Sequence, residues 1–522
     1  MRHALTTPGL TIYETNFVLF PYTTNLAFHT LTPLWFPAWA LLEPPLGTLV
    51  AMNLIMAAAV ALTGASFYAL LRREGVPAGF ALAAGVALQT TPAMLFSVML
   101  TNLNYLSLFW YPATILIWGQ VARHAGGRRG LVWAAAMGLA LYGLLMTDYQ
   151  HLLFAAFLLV PYGLLTLAQA GAWPARVRLA GLGVLALALA ALLLWIAGPL
   201  PYILTFDRGS LAPQPMDKAQ GIPFPLGYVW RLSPYSRALT LGALALPGAA
   251  LALLAGRWAR GRRFPARRWF WLALVPAPLL LSLGPSVTVG DLTLPTPYVP
   301  FHQLFGGMFR VPARFAPVIL MPALIFIGQT YAAWSPQTRA RRVWAGAALL
   351  LLVAAEARLY EPMPLRPVAR PYAFYQAMGR ERGAPYDDYA VVEVPVAGGS
   401  GEAWVGEFPP METQWYGLTH GKRMLNGSIA RAPLGHFWHW LYDDPLLAWL
   451  GQRRYLEPEI VESQLRQRIF DWPIGYIVIH QDYIGTYGPT TQEIIGYFNA
   501  LDELLCPVFV EGDAVAYRTA WH

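Results

Sequence analysis

The sequence predicts a polytopic α-helical membrane protein of about 10–11 transmembrane helices with a carboxy-terminal extracytoplasmic α/β domain. Three observations carry this. The 522 residues are 56% hydrophobic and only 12% charged, where an ordinary soluble domain is about 25% charged. Apolar runs of membrane-crossing length recur through the first two thirds of the chain. Charge divides sharply: residues 1–355 hold 23 basic and 7 acidic side chains, and 356–522 hold 13 and 21. The first part is thus +16 and the second −8, which together give the net +8.

A basic total could indicate nucleic acid, but the positive charge sits in short loops between apolar runs, as membrane topology requires. Nucleic acid is excluded as a partner; membrane lipids are expected. Cys506, the one cysteine, rules out an internal disulfide. No cleavable signal peptide is visible in residues 1–20, which are polar and lack a central apolar region.

The domains expected are an external amino-terminal segment (1–45), a helical membrane domain (46–356) and an extracytoplasmic α/β domain (357–522). Residues 1–26 are too polar to span. Residues 28–42, interrupted by Pro33 and Pro37, read as a re-entrant or interfacial helix. Spans follow near 46–71, 78–100, 102–122, 130–147, 150–170, 178–201, 237–255, 269–289, 315–334 and 342–356. Arginine in short loops is retained in the cytoplasm. Every second loop is arginine-rich: Arg72 and Arg73; Arg123, Arg128 and Arg129; Arg176 and Arg178; six arginines from Arg257 to Arg268; and Arg339, Arg341 and Arg342. The alternate loops and the tail therefore face out. Ten spans with an external carboxy terminus require an external amino terminus, so either residues 28–42 span after all or, the favoured expectation, an initial helix is missing from this chain.

In the tail, the alternation in 389–396 and 476–480 reads as strands, and the apolar pair flanking Glu511–Asp513 reads as a terminal hairpin. Helices are expected over 371–382, 442–454 and 490–505. About 160 residues suffice for an independent core.

External loops hold the candidate chemistry. In MFRVPARF, residues 308–315, Arg310 and Arg314 lie where retention of positive charge does not explain them. Two guanidinium forks suit a phosphate or pyrophosphate; interfacial anchoring to lipid head groups is the alternative. In TDYQH, residues 147–151, Asp148 sits in a very short turn beside Tyr149 and His151. It reads as a general base, a metal ligand or a partner for an external arginine, or as a helix cap. Glu14 and His29 are further candidates in the amino-terminal segment. Arg208 lies in a proline-rich loop, 202–236, of a length common for binding loops. The tail's Trp404, Trp415, Tyr416, Trp438 and Trp440 suit either sugar stacking or a core. The cofactor is open, a divalent metal ion being the candidate, although the amino-terminal segment offers no convergent ligand spacing. Dinucleotide, P-loop, HExxH, CxxC and GxSxG motifs are absent.

The pieces FPYTTNLAFH (20–29), TDYQH (147–151), MFRVPARF (308–315), HGKRMLNGSIAR (420–431) and YIVIHQDYI (476–484) stand in an order that resembles the bacterial multi-span glycosyltransferases of the GT-C superfamily. The resemblance implies transfer of a sugar from a polyprenyl-phosphate donor on the outer face of the cytoplasmic membrane. It implies Arg310 and Arg314 on the lipid phosphate, and Asp148 as a supporting acid/base or orienting group. An essential carboxylate is also implied in the first external loop. Glu14 is the nearest residue, which again points to amino-terminal truncation. A non-catalytic envelope scaffold and a transporter or flippase-like protein are the alternatives.

Overall fold

The computed structural model describes residues 7–29, 31–91, 94, 97–98, 102–206, 216, 267–289, 291–307, 309, 311–334, 338–358, 371–381, 388–399, 404–405, 410–429, 443–451, 455–481 and 490–522. The chain folds into two compact units. One comprises Thr30–Gly198 and Gln214–Leu365; the other comprises Met1–His29, Pro199–Pro213 and Arg366–His522.

The first unit is helical. Among the described residues, five segments are long and apolar enough to cross a membrane. They are α1 (Thr48–Arg73), α2 (Arg128–Thr147), α3 (Tyr149–Gln169), α4 (Trp173–Ile196) and α5 (Ala316–Trp334), the last preceded by a 3-10 turn, Pro312–Phe315. The helix boundaries follow local rules. Arg72 and Arg73 occupy the last turn of α1, where positive charge complements the helix dipole, and Gly75 (φ 81°) follows it. Pro174 sits at the start of α4, where its missing N–H costs nothing. Burial separates centre from periphery: 72% of the α5 window is buried against 22% of that of α4. Leu131 and Val132 of α2 and Val184, Leu187 and Leu192 of α4 lie exposed, as the outward faces of membrane helices do. Small residues set close packing: a Cβ on Gly138 of α2 would come within 2.9 Å of the Ala186 carbonyl oxygen on α4.

Three expected spans take other forms. Over 269–289 the chain makes two seven-residue helices, Arg267–Ala273 and Pro276–Ser282, and then an antiparallel hairpin, Ser286–Val289 with Leu292–Pro295. Pro276, Pro278 and Pro285 lie within that apolar run, and proline removes the donors that a continuous helix needs. The helix expected over 78–100 ends at Gln89, shortly before Pro92, as the constraint on residues preceding proline favours. The one over 102–122 is a single turn, Leu103–Leu106, and a separate helix, Trp110–His124. The span expected over 237–255 lies outside the described residues. The first apolar segment forms an 11-residue helix, Phe36–Leu46, about 16 Å long and shorter than a bilayer core.

The other unit is built on a five-stranded mixed sheet of β1 (Ala390–Val394), β2 (Arg423–Met424), β3 (Ile474–His480), β4 (Leu505–Glu511) and β5 (Ala514–Thr519), in the order β4-β5-β3-β1-β2. β3, β1 and β2 run parallel, and β5 and β4 add an antiparallel hairpin. AVVEV and IGYIVIH are buried throughout, the unbroken apolar pattern of strands covered on both faces. The expected strands and terminal hairpin are present. Helices form at Ala373–Met378, Pro445–Leu450 and Thr491–Ala500 within the expected windows. Pro410–His420 and Pro458–Asp471 are further helices that the sequence reading lacks.

The amino-terminal segment belongs to this sheet unit. Glu14–Thr15 pairs with Thr24–Asn25 as a small hairpin. Between them Phe20 N donates to the Met424 carbonyl (3.0 Å) and Met424 N donates to the Phe17 carbonyl (2.7 Å). The Arg423 guanidinium lies 4.3 Å over the Phe20 ring. Leu19 is fully buried. Replacing Leu19 with alanine is therefore expected to destabilise the sheet unit by about 2–5 kcal/mol, the usual cost of emptying a core leucine site. Faster hydrogen exchange in strand β2 would report it; unchanged exchange would show the segment to be dispensable.

Candidate functional site

A polar site forms in the helical unit where α2 turns into α3 through one residue. Asp148 takes an extended backbone (φ −170°, ψ 138°), closing α2 and capping α3. Its Oδ1 accepts from Gln150 N (2.8 Å) and its Oδ2 accepts from the Asn104 side-chain amide (2.7 Å). The carboxylate is thus a cap, as one sequence reading holds, and is also tied across 44 residues to Asn104.

His151 is buried, and both ring nitrogens are engaged. Nε2 faces the Asn104 carbonyl at 2.9 Å; because a carbonyl only accepts, Nε2 carries the proton. Nδ1 then accepts from the Tyr111 hydroxyl. Trp110 Nε1 donates to Thr147 Oγ1 (3.0 Å), which bonds back to the Gly143 carbonyl (2.9 Å). Tyr149, half-buried, lies next in sequence.

The second sequence motif reaches the same place. Arg314 Nη1 donates to Gln150 Oε1 (3.2 Å), and the Tyr105 hydroxyl donates to that same oxygen (3.3 Å). The guanidinium lies 4.3 Å over the Tyr105 ring, a favourable cation–π geometry. Arg314 is half-buried, and among the described residues it forms no ion pair with a carboxylate. It also sits just before α5, at a helix start, where a cation opposes the dipole and an anion is favoured. Helix stability therefore does not account for this arginine.

Asp148, Tyr149, His151 and Arg314 thus lie together in one unit. Glu14 and His29 belong to the sheet unit. Glu14 is half-buried on its hairpin and accepts from Thr11 Oγ1 (3.2 Å). Arg310 and Arg208 lie outside the described residues, as do Trp438 and Trp440. Asn104, Tyr105, Tyr111 and Gln150 are the site residues that sequence reasoning missed. Their signal was the pair of asparagines in TNLNY, polar groups within an otherwise apolar region. Among the described residues, no group of three or more His, Cys, Asp or Glu side chains is placed to hold a metal ion.

The same helices carry a second polar node. Glu74, buried, pairs with Arg267 Nε (3.1 Å) and accepts from Trp271 Nε1 (3.0 Å) and Gln329 Nε2 (3.3 Å); Arg267 Nη2 donates to the Tyr162 hydroxyl (2.7 Å). Tyr149 to Tyr162 on α3 and Ala316 to Gln329 on α5 are both steps of 13 residues, about 20 Å of helix. The Asp148–Arg314 site and the Glu74 node therefore lie toward opposite ends of both helices.

In the sheet unit, Glu393 and His480 meet at the carboxy ends of the adjacent parallel strands β1 and β3. His480 Nε2 and the Tyr375 hydroxyl each contact Glu393 Oε2 at 2.8 Å. Glu393 and Tyr375 are fully buried and His480 nearly so. His420 nearby is held down to about 3 by burial and then by Lys422, so it is neutral at ordinary pH. Its Nδ1 accepts from Lys422 N (3.0 Å).

No protein-family model and no curated protein matches the chain. Solved structures do. The chain is similar to the Archaeoglobus fulgidus oligosaccharyltransferase tethered with an acceptor peptide, at 12% identity and TM-score 0.42, covering 90% of this chain and 62% of that one. It is also similar to the archaeal oligosaccharyltransferase AglB from Archaeoglobus fulgidus in complex with an inhibitory peptide and a dolichol-phosphate, at 13% identity and TM-score 0.42, covering 91% and 64%. The chain spans about three fifths of the length of these structures.

Proposed function

We propose that the protein is a multi-pass membrane glycosyltransferase that transfers a sugar from a polyprenyl-phosphate donor to an acceptor at the outer face of a bacterial cytoplasmic membrane. The observation that carries this reading is Arg314: a half-buried guanidinium at a helix start, held by a neutral amide oxygen and an aromatic ring, beside the buried carboxylate cluster of Asp148. Such a cation is matched by a phosphate monoester. The placement of arginines supports the side. The Glu74–Arg267 node includes or adjoins Arg72, Arg73, Arg267 and Arg268, arginines of loops that membrane topology assigns to the cytoplasm. Arg314 belongs to the opposite ends of the same helices, which puts it on the outer side in this reading.

In the transfer, the acceptor oxygen bonds to the anomeric carbon as that carbon's bond to the phosphate oxygen breaks. The acceptor proton passes to a carboxylate and the electron pair leaves with the lipid phosphate. Arg314, with Arg310 of the same motif, stabilises the charge growing on the phosphate. Asp148 shares the cluster with Arg314 and takes the acid/base or orienting role. Tyr149, His151 and Arg208 are the further supporting candidates. Glu14 is the alternative base, and His29 of the same amino-terminal segment is a further supporting candidate.

The test is binding of a polyprenyl phosphate to the full chain in detergent, against the unphosphorylated polyprenol. Phosphate-dependent binding is expected; equal binding overturns the reading. A second expectation separates chemistry from capping at Asp148. Asp148→Asn keeps an oxygen for Gln150 N, and the Asn104 amide can rotate to accept from the new one, so thermal stability should hold. Transfer should nonetheless fall about 100-fold with the acid/base group gone. Asp148→Ala should in addition lose the cap, at about 1–2 kcal/mol.

A further inference from the structure

Among the described residues, the two partners of Arg314, Gln150 and Tyr105, leave an unusual combination: a carboxylate is present in the same cluster, yet the guanidinium is bonded to a neutral amide. Gln150 stands between them. Its backbone N–H donates to Asp148 Oδ1 (2.8 Å), while its side-chain Oε1 accepts from Arg314 Nη1 (3.2 Å) and from the Tyr105 hydroxyl (3.3 Å). Asp148 itself is turned to the Asn104 amide (2.7 Å). The Tyr105 ring, 4.3 Å beneath the guanidinium, covers one face. One N–H of Arg314 is thus occupied, its plane is held, and its charge is not cancelled within the cluster.

We propose that Gln150 is a specificity-determining spacer. It fixes the guanidinium of Arg314 while keeping it out of an internal ion pair, so that the charge is available to a phosphate. This rests on the reading of Arg314 as the phosphate contact. A neutral acceptor is the requirement. A carboxylate at the same place, 3.2 Å from Nη1, would be a charge-assisted partner about twice as strong as the amide and would compete with the ligand for the same fork. Tyr105, whose hydroxyl bonds to the amide oxygen, orients Gln150 and is a positioning residue.

The experiment compares Gln150→Glu and Gln150→Met with the unaltered full chain in detergent, by titration with a polyprenyl phosphate, the matching polyprenol and inorganic phosphate. Both substitutions preserve length and volume, and thermal unfolding of each confirms that the chain stays folded. Gln150→Glu is expected to weaken polyprenyl-phosphate binding at least about tenfold, as the new ion pair takes the guanidinium. Gln150→Met, lacking the acceptor and the charge, should stay within about threefold. Polyprenol binding should not change. Displacement of the lipid by millimolar inorganic phosphate would assign the same site to a free phosphate and would still support the spacer. Equal losses in the two variants would make Gln150 a structural hydrogen-bond partner and overturn the proposal, as would an unchanged Gln150→Glu. If Arg314→Ala binds polyprenyl phosphate normally, the phosphate reading itself fails; if only Gln150→Glu is silent, that reading stands and the spacer falls.

Discussion

On the proposed function, replacing Arg314 with alanine is expected to lower sugar transfer by about 10²–10³-fold, the effect of deleting one preorganised charge stabiliser from a partly buried site. The expectation follows from geometry. Gln150 and Tyr105 already hold the side chain, so little conformational entropy is lost when an anion arrives. Partial burial strengthens each charge-assisted bond relative to water. Arg314→Lys should recover only part of the activity: the charge returns, but the planar fork and its stacking on Tyr105 do not. Steady-state kinetics with a polyprenyl-phosphate sugar would show the loss in kcat/KM. If the loss lay wholly in KM, Arg314 would bind donor and transition state equally. A variant with wild-type kinetics would reduce Arg314 to an interfacial anchor.

Replacing Glu393 with alanine is expected to destabilise the sheet unit by about 1–3 kcal/mol, the cost of leaving buried hydrogen-bonding partners unsatisfied. The carboxylate joins two central strands: it sits on β1, and His480, at the end of β3, and Tyr375 both bond to the same oxygen. Its backbone N–H is held by Asn426 Oδ1 (3.1 Å), whose amide in turn reaches the Pro395 carbonyl (3.2 Å). Glu393→Gln should cost less, because the amide oxygen keeps one acceptor for Tyr375. Hydrogen exchange over β1 and β3 in the full chain would read the local effect. A double-mutant cycle with His480→Ala would isolate the pair. Unaltered exchange in Glu393→Ala would show that the pair contributes nothing net.

The legibility of the site divides along one line, whether a residue breaks a rule that the sequence states. Arg314 stood out because positive charge in a loop that the alternation of arginines reads as external is unexpected, and Asp148 because an ionisable group in a one-residue turn between apolar helices is costly. Gln150, Asn104 and Tyr105 break no such rule. Neutral polar residues carry no topological signal, and their bonds close over separations of 45 residues for Tyr105–Gln150 and 164 for Gln150–Arg314. The segment 269–289 was misread for a different reason. Hydropathy sums side chains, whereas a helix also needs its backbone donors, and Pro276, Pro278 and Pro285 remove them.

What the sequence determined by itself was the solvent and the periodicity. Apolar runs and arginine-rich loops specify membrane helices, and AVVEV and YIVIH specify buried strands, because these signals arise within one segment and need no partner. The tertiary structure decided two things. It joined residues 7–29 to the sheet unit through Phe17, Phe20 and Met424, although that segment stands hundreds of residues from the strand it covers. It also gave Arg314 a neutral partner in place of the nearby carboxylate. Both are matters of which surfaces meet, which depends on packing between distant segments, and it is this packing that, among the described residues, leaves Arg314 without a carboxylate partner where a phosphate is proposed to bind.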